Sequence, residues 1–154
     1  ADRFKLRVRI DTREMPILEL RLARSDGQVG SGLHNCSKEK VPETPFRAPT
    51  GGSVAVSDCA AGRNGVPQLA TLASRRLKTI VVDRTGLTGQ WWYAVYYGGE
   101  LPQIPGVDLS QAKVNPDLPS FEGALREQLG LRLERARGPV PVVVIESIER
   151  PTPN

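Results

Sequence analysis

The sequence predicts an α+β fold in which two helices pack on one face of a largely antiparallel sheet. Two observations lead to this class: a helix-strand-strand pattern occurs twice, and an alternating apolar pattern precedes both copies. The segments of the two copies are residues 69–77, 79–83 and 91–97, then residues 121–129, 131–134 and 140–148. Two such tandem units, together with an N-terminal β-hairpin, build a sheet with helices on one side.

The N-terminal β-hairpin is predicted from strict alternation over residues 3–10. The apolar face carries Phe4, Leu6, Val8 and Ile10, and the opposite face carries Arg3, Lys5, Arg7 and Arg9. Such alternation is typical of a half-buried strand. Residues 11–14 form the predicted turn, and residues 17–23 return as the second strand. Because a solvated strand face accounts for the basic residues, we expect no nucleic-acid partner.

The ends of both helices carry recognisable residues. Pro67 suits the first turn of the first helix. Ser120 is a predicted N-cap for the second helix, with Glu122 in its first turn, and Gly130 ends that helix. A Gly-Pro turn at residues 138–139 then leads into a nearly all-apolar run, which predicts a central strand covered on both faces.

Length and composition predict a single domain over residues 1–154, with irregular loops at about 25–65 and 98–119. The 13 prolines and 15 glycines concentrate in these loops, and a short strand is predicted at residues 54–56. The formal charge of +4 is modest for 154 residues. No stretch approaches the ~20 apolar residues that a membrane-spanning helix needs, so no membrane span is expected.

The two cysteines, Cys36 and Cys59, both lie in the first long loop. In a reducing compartment they would be separate thiols, whereas in an exported protein they would pair and close the loop. Their spacing matches no zinc pattern. We therefore favour a disulfide.

Several runs of residues resemble a bacterial family. They include residues 2–6 (Asp-Arg-Phe-Lys-Leu), 13–16 (Arg-Glu-Met-Pro), 81–89 (Val-Val-Asp-Arg-Thr-Gly-Leu-Thr-Gly), 130–134, 138–140 and 144–151 (Val-Ile-Glu-Ser-Ile-Glu-Arg-Pro). In combination they are similar to the soil-associated proteins of unknown function, which are usually exported. The duplicated unit also resembles, in pattern, the short N-terminal domain of secretins and TonB-dependent receptors. These resemblances imply an extracytoplasmic (periplasmic or secreted) interaction module, and they imply no activity.

The strand at residues 91–97 departs from the family pattern. Its inward phase is apolar or aromatic as expected, but Trp92, Ala94 and Tyr96 occupy the phase that is usually polar. Trp92 and Tyr96 would be neighbours on one face of the strand, where they could form an apolar platform for an acyl chain, another small apolar ligand or a protein partner. Alternatively, the loop that follows covers them and makes them part of the core.

Asp83 and His34 are the candidate catalytic residues. Asp83 could act as a general base or a ligand, although a backbone-bonding role in the loop that follows it, interpreted as a hairpin loop, is the favoured explanation. His34 is the only histidine, which excludes multi-histidine metal sites. No Gly-x-Ser-x-Gly elbow supplies a serine nucleophile for it, and Cys36 is available as a nucleophile only if it is not in a disulfide.

Asp108, Asp117 and Glu122 flank the second long loop and form the candidate metal site. Carboxylates and loop carbonyls suit Ca²⁺, although the spacing matches no EF-hand, and solvated loop charges are the simpler interpretation. A metal-dependent enzyme could use Ca²⁺ or Zn²⁺ here to polarise a carbonyl and activate water.

Two functions remain open at this stage. The first is an extracytoplasmic ligand- or partner-binding module that uses the aromatic strand face. The second is a small hydrolase of esters or lactones, such as acyl-homoserine lactones, with the aromatic face holding an acyl tail. No catalytic signature stands in the sequence, which favours the binding module.

Overall fold

The computed structural model describes residues 6–38, 51–56, 59, 65–98 and 115–148. Within these residues the chain forms six strands and two helices: β1 (Arg7–Leu22), β2 (Leu33–Asn35), β3 (Ser53–Val56), α1 (Val66–Leu77), β4 (Val81–Asp83), β5 (Trp91–Tyr97), α2 (Phe121–Leu129) and β6 (Leu131–Ser147). This composition confirms the predicted α+β class. It also confirms both helices and the short strand expected at residues 54–56.

The strands form two three-stranded sheets, with the orders β4-β1-β6 and β2-β5-β3. β1 and β4 run parallel, with Leu18 opposite Val81 and Leu20 opposite Asp83. In the second sheet β5 is central and pairs antiparallel with β2 on one side and β3 on the other. Consecutive strands β4 and β5 therefore belong to different sheets, so the connection between them is not the predicted hairpin loop.

The contacts divide the chain into two compact units, residues 18–134 and residues 1–17 with 135–154. The larger unit contains both helices and a core of fully buried side chains, the largest of which are Leu20, Leu33, Leu69, Leu125, Leu129, Leu131, Val66 and Val95. Each side chain of this size stabilises the fold by about 1.5–3 kcal/mol when it is removed from water. The two helices and β5 thus contribute much of this buried core.

α2 begins and ends as the sequence predicts, whereas α1 ends at the predicted Leu77 but begins at Val66, three residues before the predicted segment. Pro67 lies in the first turn of α1. The Ser120 hydroxyl accepts a hydrogen bond from the Gly123 amide over 3.1 Å, which satisfies one of the free donors at the start of α2. Gly130 adopts φ 67° and ends α2 in the left-handed conformation that glycine favours.

The smaller unit contains a two-stranded ribbon made from the first part of β1 and the last part of β6. Arg9 Nε lies 3.3 Å from Glu146 Oε1, and the Ile17 side chain lies against Gly138, so the two strands run antiparallel. Arg137 Nη2 also donates to the Glu14 carbonyl over 3.2 Å. The ribbon is held by backbone pairing and exposed polar contacts.

The predicted N-terminal β-hairpin is wrong, because β1 continues without a break through residues 11–14. The apolar face expected to be half-buried is instead exposed over Leu6, Val8 and Ile10, the last with 76% of its surface accessible. Phe4 lies outside the described residues. Polar residues here indicated a turn, but they are equally compatible with a solvated strand that pairs with β6.

The predicted Gly-Pro turn at residues 138–139 is also wrong, because β6 passes straight through it. A Cβ at Gly138 would collide with the Ile17 side chain, so glycine serves a close cross-strand approach here. Pro139 is tolerated because β6 lies at the edge of its sheet, where a missing N–H removes no ladder bond. The last strand is therefore an edge strand, and not a central strand covered on both faces.

A disulfide joins Cys36 to Cys59, as favoured from the sequence, with their Cα atoms 5.8 Å apart. The bond leaves Cys36 without a thiol, so Cys36 is not a nucleophile. Cys36 follows β2 and Cys59 follows β3, so the bond links the two outer strands of the β2-β5-β3 sheet. In the described part of the chain, neither helix has the length and apolar character needed to cross a membrane.

Candidate functional site

The strand β5 has two different faces. Trp91, Tyr93, Val95 and Tyr97 are all buried, as their inward phase predicts. Tyr97 contacts Phe121 of α2 edge-to-face, with ring centroids 4.9 Å apart, and the Arg76 guanidinium of α1 lies 4.4 Å from the Tyr97 ring centre. Both helices therefore contact this face of the strand.

Trp92 and Tyr96 lie on the other face of β5 and are half-buried, between the two alternatives left open by the sequence. Cross-strand pairing places His34 beside Trp92, with ring centroids 5.3 Å apart, and Val54 beside Tyr96. The structure thus brings one predicted catalytic residue together with a predicted ligand-binding residue. Their contact is a packing contact between rings.

A side chain from α2 extends the hydrogen bonding of β5 beyond the end of β2. Gln128 Oε1 accepts from the Tyr96 amide over 3.0 Å, and Gln128 Nε2 donates to the Tyr96 carbonyl over 2.7 Å. The Gln128 main-chain carbonyl accepts in turn from Gly32, and the Leu129 carbonyl accepts from Gly30. A side chain at Gly30 would collide with this end of α2. Gln128 therefore pairs with β5 as one further residue of β2 would.

A groove of about 490 Å³ lies between α1 and β3. The residues that line it come from β3, α1 and β5, and they are Val54, Ala55, Val56, Gln68, Thr71, Leu72, Arg75, Tyr93 and Tyr97. The four α1 residues recur at intervals of three, one and three, so they form one stripe along the helix. The groove therefore runs along the helix, with β3 as its opposite wall and the two tyrosines at its base.

The groove combines an apolar wall on β3 with a largely polar wall on α1. Gln68, Thr71 and Arg75 are exposed on its α1 side. The Thr71 hydroxyl donates to the Pro67 carbonyl over 3.0 Å, so it still has acceptor capacity. Burial raises the pKa of the Tyr93 phenol. This mixture is typical of a binding site.

Asp83, the other predicted catalytic residue, ends β4 and organises the segment that follows. Its Oδ1 accepts from the Thr85 amide over 2.9 Å and from the Thr85 hydroxyl over 2.8 Å, and Thr85 is buried. Positive φ angles at Gly86 and Gly89 complete the turn. Asp83 and His34 belong to different sheets, and neither lines the groove. The backbone-bonding interpretation of Asp83 therefore has direct support.

The predicted metal ligands are only partly described. Asp117 is exposed and its amide donates to Asn115 Oδ1, while Glu122 is exposed in the first turn of α2. Asp108 lies outside the described residues. Within residues 6–38, 51–56, 59, 65–98 and 115–148, no cluster of three His, Cys, Asp or Glu side chains could hold a metal ion. The three-residue site stays a prediction.

The groove was not predicted from the sequence. Its signal was present in α1, where Gln68, Thr71 and Arg75 give one stripe a polar character beside Leu72. What the sequence could not supply was the partner wall, because β3 is only four residues long and its pairing with β5 is non-local.

Comparisons with known proteins identify the family and nothing closer. No curated protein and no solved structure gives a significant match to the chain. A family model described as a protein of unknown function, DUF3738, matches residues 1–148. The chain therefore belongs to the DUF3738 family of proteins of unknown function.

Proposed function

We propose that this protein is an extracytoplasmic binding module whose ligand occupies the α1–β3 groove beside the aromatic strand β5. The groove itself carries the proposal. Its volume of about 490 Å³ lies within the range of small-molecule sites, and its apolar β3 wall faces a largely polar stripe on α1. The disulfide between Cys36 and Cys59 supports an oxidising, extracytoplasmic location.

The composition of the groove favours binding over hydrolysis. Among the described residues, those that line it include an arginine, a glutamine, a threonine and two tyrosines, but no carboxylate, histidine, serine or cysteine. An ester or lactone hydrolase needs a nucleophile or a base that activates water close to the bound carbonyl. Asp83 and His34, the residues proposed for that role, lie elsewhere, so the groove gives the hydrolase alternative no support.

The proposal is tested by closing the groove. Thr71 is exposed on the α1 wall, so Thr71→Trp should fill the groove without disturbing the core. The matched control is Arg126→Trp, at an exposed position of α2 outside the groove. Amide chemical shifts would be followed by NMR while octanoate, an apolar carboxylate, and a set of hexapeptides are added separately.

We expect at least one of these probe classes to shift the amides of the groove residues, with the effect lost in Thr71→Trp and kept in Arg126→Trp. If neither class shifts the groove amides, the proposal is wrong. Turnover of homoserine lactones by the wild-type protein that persists in Thr71→Trp would place a catalytic site outside the groove and would favour the hydrolase.

A further inference from the structure

The wall of the groove opposite α1 is a strand edge that has no paired neighbour among the described strands. β3 lies at the end of the β2-β5-β3 order, and no strand in the described part of the chain pairs with its outer side. Exposed strand edges of this kind accept an additional strand from another chain. The groove therefore offers main-chain hydrogen bonds as well as side-chain contacts.

The direction of the β3 amides follows from the pairing of β5. Ala94 donates its amide to Gly32, and Tyr96 bonds Gln128, so the even-numbered residues of β5 point toward β2. The odd-numbered residues point toward β3, where Val95 is opposite Ala55. Ala55 therefore bonds β5, and the main-chain groups of Val54 and Val56 point outward.

The two outward-pointing residues are accessible. Val54 has 42% of its surface exposed and Val56 has 48%. Both residues also line the groove. Their N–H and C=O groups can form hydrogen bonds with every second residue of an added strand. That strand would run along β3, with the α1 stripe on its other side.

The side chains of an added strand would find two different environments. Residues that point into the groove would meet Ala55, Leu72 and the tyrosine rings at its base, which suits apolar side chains. The intervening residues would point away from this base. An extended peptide with alternating apolar residues fits this geometry, whereas a compact ligand would leave the edge amides of β3 without partners.

The charge of the groove points to an acidic partner. Among the described lining residues Arg75 alone is charged and it is exposed, and no described carboxylate lies within ion-pairing distance of it. The neighbouring Arg76 differs, since its guanidinium lies over the Tyr97 ring. Arg75 presents a planar set of donors suited to a carboxylate from a bound chain.

We propose that the groove binds an extended peptide segment of another protein, which adds as a strand to the outer edge of β3 and places an acidic side chain against Arg75. This inference rests on the proposed function and specifies its ligand. The peptide is held by main-chain hydrogen bonds to Val54 and Val56. The apolar base favours apolar residues at alternate positions of the peptide, and Arg75 favours a negatively charged side chain.

The test uses blocked hexapeptides of alternating valine and threonine, acetylated and amidated at their ends, with glutamate replacing one valine at a time, because only side chains that point into the groove can reach Arg75 on α1. A second set carries lysine at the same positions. We expect the glutamate peptides to shift the Val54 and Val56 amides in NMR spectra, and to bind about ten-fold more tightly than the lysine peptides. In Arg75→Glu the preference should reverse, whereas Arg126→Glu should leave it unchanged.

Main-chain pairing is tested separately from charge. Val56→Pro removes one outward N–H but keeps the Ala55 pairing with Val95, and should weaken the glutamate peptides about ten-fold, as the loss of one hydrogen bond predicts. Val56→Thr keeps the N–H and should bind as the wild type does. Main-chain pairing is also tested on the wild-type protein with two sets of peptides, N-methylated at odd or at even residues. Because only every second N–H of the peptide faces β3, only one of the two sets should lose binding.

The outcomes separate this inference from the proposed function. Octanoate that binds in the groove while none of the peptides does would overturn strand addition and leave the binding module intact. Equal binding of both N-methylated sets would also overturn it. Failure of octanoate and of every peptide would overturn both proposals.

Discussion

The ribbon and the larger unit are built from the same two long strands, yet they bury very different amounts of apolar surface. In the larger unit Leu20 of β1 and Leu131 of β6 are fully buried. In the ribbon Ile10 of β1 and Ile145 of β6 are 76% and 62% exposed. The residue types are alike, so the difference comes from the layers available: both helices belong to the larger unit.

The two regions show that strand formation and burial of the apolar face of a strand are separate properties. Alternation of apolar and polar residues predicts that a segment is a strand, and it is a strand in both regions. Whether the apolar face is buried depends on a second layer, which the pattern does not specify. A two-stranded ribbon alone has little independent stability, so we expect unfolding free energy to be concentrated in the larger unit.

The largest test compares one buried and one exposed apolar side chain. Leu125→Ala removes a fully buried side chain of α2 and should lower the free energy of unfolding by about 2–5 kcal/mol. Ile145→Thr keeps a β-branched residue on the ribbon and should cost less than about 0.5 kcal/mol. Urea unfolding followed by tryptophan fluorescence gives both values, and similar losses would contradict the comparison.

Removing the disulfide should have the next largest effect, confined to the larger unit. Cys36→Ser combined with Cys59→Ser opens a link across 23 residues and should cost about 3 kcal/mol. Amide hydrogen exchange should accelerate in β2 and β3, while the ribbon amides exchange as before. Faster exchange in the ribbon instead would show that the ribbon depends on this link.

The Gln128 contact predicts a smaller loss. Gln128→Leu removes both hydrogen bonds to the Tyr96 main chain and should cost about 1–2 kcal/mol. Glu127→Leu, at an exposed position of the same helix, is the matched control and should change stability by less than about 0.5 kcal/mol. If the two variants lowered stability equally in thermal unfolding, the hydrogen bonds between Gln128 and the Tyr96 main chain would stabilise the fold no more than hydrogen bonds to water.

The smallest effect concerns an exposed ion pair of the larger unit. The Arg24 guanidinium, together with the Gln28 amide, lowers the pKa of Asp26 from 3.8 to about 2. Because the folded-state pKa is depressed, the stabilisation is present above pH 3.8 and is lost as the pH falls through about 2. Arg24→Gln should raise the Asp26 pKa toward 3.8, as measured by carboxyl NMR titration, and Arg9→Gln in the ribbon should leave it unchanged.

Local sequence signals predicted the helices well and the strand boundaries poorly. Ser120 and Gly130 fixed the ends of α2 because caps act on adjacent backbone groups. Residues 11–14 and 138–139 carry turn-forming residues, but the pairing of β1 with β6 keeps both segments extended. Long-range pairing of this kind overrides local preference.

The candidate site was predictable only in part. Trp92 and Tyr96 were recognised as unusual for their strand phase, and the structure pairs them with His34 and Val54. The groove depends instead on the opposite face of β5 and on the register of β3, which no local pattern encodes. Asp83 illustrates the reverse case, because its hydrogen bonds to Thr85 account for a residue that resembled a catalytic one.

The bond between Cys36 and Cys59 also changes what a proteolytic cut would do. Any single cleavage of the main chain between Cys36 and Ser53 leaves both products covalently joined, with β2 on one piece and β3 on the other. The nicked protein would migrate as one species without reductant and as two fragments with it. Both walls of the groove, α1 and β3, would remain on the same fragment. A protease could therefore cut this connection without separating the two groove walls from each other.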